Sequence, residues 1–153
     1  MKHSPRASML YVGLLSAGVQ VVLLREYLSV LLGNELVVGI ALAVWLAAGG
    51  AGSLLGVRFG RFARTPFAIP AAVLLSLGGF VLVRAARLPF EPGETIPPLM
   101  TLALIALSSG PCSTLYGYLF GGLSRVDPDA NDLYGYENTG NVAGSLLVYA
   151  CIL

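Results

Sequence analysis

Long apolar stretches constrain this chain more than any other feature. A bilayer hydrocarbon core about 30 Å thick is crossed by about 20 apolar residues in a helix. Four segments reach that length: about 9–32, 36–57, 67–88 and 97–123. A fifth, about 132–153, begins polar and is still apolar at Leu153, where the sequence ends. The chain is 56% hydrophobic and only 11% charged, whereas soluble domains carry about 25% charged residues. The expected fold is an all-α integral membrane protein. It would be a single polytopic domain, a bundle of about five transmembrane helices, four complete and the fifth running to the chain end. The end at Leu153 has no polar flank and no anchoring Arg, Lys or Trp, which reads as a piece of a longer protein.

The connections are short. Gly33-Asn34-Glu35 turns the first helix into the second, and segments rich in Gly, Pro and charge join the others. Such loops are expected to place sequential helices antiparallel and adjacent. Orientation follows from the distribution of Arg and Lys. With the N-terminus inside, the inner side holds Lys2, Arg6, Arg58, Arg61, Arg64 and Arg125, and the outer side Arg84 and Arg87. The chain is therefore expected to be multi-pass in the inner (cytoplasmic) membrane with a cytoplasmic N-terminus. The apolar run that starts at Met9 continues past Leu24 to Leu32 with no small-x-small cleavage site, so it reads as an uncleaved first helix rather than a signal peptide.

Composition excludes several classes. A net charge of +1 leaves no basic footprint for nucleic acid. Cys112 and Cys151 both lie in apolar segments and read as small membrane-embedded residues. A single histidine, His3, with no cysteine cluster gives no metal site. The run from Gly50 to Gly56 has the wrong spacing for a nucleotide fingerprint and follows no strand. No Ser-His-Asp set or P-loop is present, so no catalytic residue is assigned.

The candidate binding residues are the polar groups inside apolar helices. Arg25-Glu26 is an adjacent charge pair in the first helix, and a charge at the centre of a membrane helix costs about 2.5–3.5 kcal/mol on insertion scales. Neighbours in a helix point about 100° apart, so the two cannot simply pair with each other. Arg25 can snorkel to the outer surface; Glu26, with its shorter stem, is the stronger candidate for a polar cavity or a cationic ligand. Ser16, Gln20 and Tyr27 share a face of the same helix, and Glu35 opens the next. Glu137 and Asn138 lie at the polar start of the fifth. In the fourth helix, Ser108-Ser109-Gly110-Pro111-Cys112-Ser113-Thr114 predicts a kink at Pro111, because proline cannot donate to Leu107. Discontinuous helices of that kind build many transporter sites. Small residues recur at four-residue spacing: Gly52 and Gly56, Gly117 and Gly121, Gly140 and Gly144. Such stripes let membrane helices approach closely.

Four stretches, in this order, carry a family resemblance: Gly13 to Glu26; Gly33-Asn34-Glu35-Leu36 through Trp45 to Gly56; Gly110-Pro111; and Leu133 to Gly144. Together the chain resembles the membrane domain that precedes spermidine-synthase-like domains in many bacterial proteins. The resemblance implies that the chain anchors a Rossmann-like aminopropyltransferase domain that follows it. That domain would use decarboxylated S-adenosylmethionine as co-substrate, while this chain itself holds no cofactor. It also implies a polyamine partner, whose positive charges Glu26, Glu35 and Glu137 could compensate. Two other readings stand beside it. The helices also resemble half of a major-facilitator transporter, with Arg58-Phe59-Gly60-Arg61 at the position of that superfamily's basic glycine motif, although Ser53 and Val57 replace its expected Gly and Asp. The third reading is a non-catalytic membrane scaffold subunit whose glycine stripes bind partner helices.

Overall fold

The computed structural model describes residues 5–31, 35–91, 94, 96–125 and 130–152. These residues form five α-helices and one 3-10 turn: α1 (Pro5–Val30), α2 (Glu35–Phe59), η1 (Phe62–Arg64), α3 (Ala68–Ala86), α4 (Pro98–Ser124) and α5 (Ala130–Ile152). The all-helical expectation holds, with ends shifted by a few residues at most. The first four helices are each long and apolar enough to cross a membrane, with mean hydropathy between 1.4 and 1.9. The polar opening of α5, from Asn131 to Asn141, lowers its average.

Packing does not follow chain order. α1 lies mainly along α5, and α2 along α4, while α1 and α2 touch little. This corrects the expectation that sequential helices are the principal neighbours. The reason is steric: the small-residue stripes are the surfaces that allow the closest approach, and they face across the bundle. Contacts rise together along both chains of each pair. Gly13 meets Glu137, and Gly18 meets Val148. In the second pair, Gly49 meets Ser113 and Gly56 meets Gly122. Both pairs are therefore parallel. α3 packs antiparallel on α4, with Ser76 against Tyr116 and Gly79 against Ser108.

Glycine is required at these seams because backbone meets backbone. A methyl on Gly52 would overlap the Thr114 carbonyl, and one on Gly56 the Tyr118 carbonyl. Reciprocally, Gly117 leaves room for the carbonyl of Gly49, and Gly121 for that of Ser53. On the α1–α5 seam, Gly140 and Gly144 accommodate the carbonyls of Leu10 and Leu14. Contact of this closeness brings many backbone atoms within van der Waals range along both seams.

α4 is the central element. Its buried residues, Thr101, Leu104, Ile105, Ser108, Ser109, Cys112, Ser113, Tyr116 and Leu119, recur at helical spacing. They meet Leu23 and Tyr27 of α1, Trp45 of α2 and Ala72 of α3 in one core. α4 stays helical through Pro111 rather than breaking there. The surrounding side chains bond back to the backbone: Ser108 Oγ donates to Leu104 O (2.6 Å), Ser109 Oγ to Ile105 O (2.8 Å) and Cys112 Sγ to Ser108 O (3.1 Å). Pro111 itself is exposed on the outer face, so its ring displaces no neighbouring helix.

Candidate functional site

The buried carboxylate of Glu26 has a partner that the sequence reading put elsewhere. Arg84, in the last turn of α3, donates from Nε to Glu26 Oε2 (2.5 Å) and from Nη2 to Oε1 (2.9 Å). The Glu26 side chain is 7% exposed and that of Arg84 is 60% exposed. A planar guanidinium fits a carboxylate in this two-point manner, and charged hydrogen bonds are the strong ones. The guanidinium also lies over the Phe80 ring, 5.4 Å from its centroid. Arg84, counted above among the outer-side cations, is also the counter-ion of Glu26 on α1. Its signal was present in the sequence, since an arginine inside the apolar run 67–88 needs an acid or a route to water just as Glu26 does. Arg87 is also engaged, donating to the carbonyls of Glu94 (2.6 Å) and Glu91 (3.0 Å).

The other candidate residues do not converge on Glu26. Arg25 is exposed, and Glu35 is exposed at the start of α2. Gln20 borders, with Tyr27, Trp45 and Ser109, a void of only about 10 Å³, the size that admits a single water at most. Glu137 is half-buried at the opposite end of the bundle. Its Oε1 accepts a hydrogen bond from Asn141 Nδ2 (3.2 Å), one turn along α5. Its backbone lies against Gly13, which precedes Glu26 by a helical rise of about 20 Å. Asn138 is exposed beside it. Asn34, Lys2 and His3 lie outside the described residues.

Between the two ends the buried polar groups bond to one another. Tyr27 and Ser108 hydroxyls share a hydrogen bond (2.7 Å), as do Ser76 and Tyr116 (3.1 Å). Ser113 Oγ donates to the Trp45 carbonyl (2.5 Å), and the Trp45 and Tyr116 rings stack with centroids 6.4 Å apart. Among the described residues no buried side-chain nitrogen or oxygen lacks a partner. Sequence reading placed Tyr27 on a polar face and found the serines of α4, but not their mutual pairing, which depends on how α1, α3 and α4 meet.

Larger clefts lie elsewhere, including an open apolar one of about 580 Å³ beside Pro111 and two more. One of about 440 Å³ lies between α1, α3 and α5, walled by apolar residues such as Leu14, Val22, Phe80 and Leu147. The other, of about 570 Å³, lies at the end of the α2–α4 pair and is lined by Arg58, Phe59, Gly60, Arg61, Arg64 and Arg125. Comparison with protein-family models, with curated proteins and with solved structures returned no match to this chain.

Proposed function

We propose that this chain is a membrane-anchoring helical module, of the kind that precedes spermidine-synthase-like domains, and that its role is to hold an attached or associated domain at the bilayer. The observation that carries the reading is the Glu26–Arg84 pair. A carboxylate already neutralised by a two-point arginine is a poor receptor for a polyamine, because the incoming cation would have to displace a bonded guanidinium. The rest of the interior supports the same reading: its hydroxyls are mutually bonded, and Glu26 and Glu137 stand at opposite ends rather than facing one channel. The exterior suits lipid, with Leu46, Leu54, Leu74, Leu99 and Leu107 each more than 60% exposed.

The test is twofold. The chain expressed in bacterial membranes should resist carbonate extraction, and the purified protein should show no saturable spermidine or putrescine binding in equilibrium dialysis. Release by carbonate would defeat the anchor. Saturable binding abolished by Glu26→Gln would replace the anchor with a polyamine-handling site.

A further inference from the structure

We propose that the arginine-lined cleft at the shared end of α2 and α4 binds the phosphate of an anionic lipid headgroup. This inference shares with the reading above only that the bundle sits in a bilayer.

Four arginines, Arg58, Arg61, Arg64 and Arg125, line this cleft of about 570 Å³, and no carboxylate is among its lining residues. All four are exposed. Guanidinium groups suit phosphate through paired N–H donors and remain charged at any physiological pH.

The frame that carries them is fixed. Gly60 sits against Gly122, and Ala63 is buried where η1 packs on the end of α4. Tyr118 Oη donates to the Phe59 carbonyl (2.6 Å), and Thr65 Oγ1 closes η1 on the Phe62 carbonyl (2.9 Å). Arg125 Nη1 reaches the carbonyls of Val57 (3.2 Å) and Arg58 (3.4 Å). These contacts cap α2 and hold the guanidinium at the cleft.

The surroundings favour a lipid over a soluble anion. Arginine alternates with phenylalanine through Arg58-Phe59-Gly60-Arg61-Phe62-Ala63-Arg64-Thr65-Pro66-Phe67. Phe59, Phe62 and Phe67 are 60%, 38% and 72% exposed. Rings left open beside cations match the boundary where acyl chains meet headgroups, and basic clusters next to membrane helices attract anionic lipids. A soluble phosphate would gain nothing from the rings.

Native mass spectrometry of the detergent-purified chain, titrated with phosphatidylglycerol or phosphatidylcholine, tests the proposal. Phosphatidylglycerol should be retained at least about tenfold more strongly. Arg61→Gln with Arg64→Gln should remove most of that preference without changing phosphatidylcholine retention. Arg25→Gln with Arg87→Gln, at the other end of the bundle, should leave it intact. Millimolar inorganic phosphate should not compete. Equal retention of the two lipids by the unaltered chain overturns the proposal. A preference that survives the Arg61/Arg64 change also overturns it, and competition by inorganic phosphate would assign the cleft to a soluble anion. The lipid comparison is made in detergent, so its failure is distinct from release of the chain by carbonate.

Discussion

Arg84 on α3 holds Glu26 on α1 through two hydrogen bonds, Nε to Oε2 and Nη2 to Oε1, across 58 residues of sequence. The contact joins two parallel helices near the end remote from the arginine cleft. It turns a costly buried carboxylate into a tie between two helices. Glu26 is buried and Arg84 is open on one side, so the loss of either partner has unequal consequences. Arg84→Gln strands a buried carboxylate, whereas Glu26→Gln leaves a cation that can reach water or headgroups. Arg84→Gln should therefore destabilise the bundle more than Glu26→Gln in reversible detergent unfolding, and equal losses would argue against this geometry.

The glycine seams predict a sharp positional contrast. Gly52→Ala or Gly117→Ala places a methyl against a backbone carbonyl that cannot move aside, and should cost about 1–3 kcal/mol. Gly39 and Gly78 have no atom within 4 Å of the added methyl, so alanine there should be neutral or raise stability by up to about 1 kcal/mol through helix propensity. Unfolding in graded denaturing detergent measures both classes. Indistinguishable effects would mean that the α2–α4 seam is looser than described.

On the α1–α5 seam, close packing should outweigh charge. Arg6 Nη2 lies 2.8 Å from Asp132 Oδ2, with side chains 50% and 39% exposed. Exposed pairs of this kind contribute about 0–1 kcal/mol, so Arg6→Gln should change stability by less than Gly144→Ala, which drives a methyl into the Leu14 carbonyl. The reverse order, seen in the same unfolding assay, would make the ion pair the principal fastener of α5.

The buried hydroxyls should act as a pair. Tyr27→Phe removes the bond to Ser108 and should cost about 0.5–1.5 kcal/mol, the range for membrane and soluble hydrogen bonds. In the Ser108→Ala background the same change should cost less, because the partner is already gone. An unchanged cost in that background would show that the Tyr27 hydroxyl works through some other group.

Pro111 should be dispensable. It is exposed, and α4 is helical on both sides of it. Pro111→Ala restores a donor for the Leu107 carbonyl and should leave stability unchanged or raised. A marked loss would mean that the proline sets the shape of α4.

The helices were legible because apolar runs of membrane length have few alternatives, and the glycine stripes because four-residue spacing puts residues on one helix face. Their pairing was not. Gly13 and Gly140 are 127 positions apart, and nothing local says that α1 lies beside α5 instead of α2. The same applies to charge. Glu26 and Arg84 were each visible as ionisable residues in apolar runs, but nothing local says that α1 and α3 bring them together. Pro111 was legible as a residue without a donor for Leu107, whereas the hydroxyl and thiol bonds around it depend on side-chain geometry that residue type alone does not specify.

The central claim is that Glu26 and Arg84 are bound to each other and not to a ligand. A double-mutant cycle of Glu26→Gln and Arg84→Gln, read as unfolding free energy of the purified chain, tests it most directly. The account predicts that the double variant is markedly more stable than the sum of the two single losses would allow. Strict additivity of the two changes would contradict it.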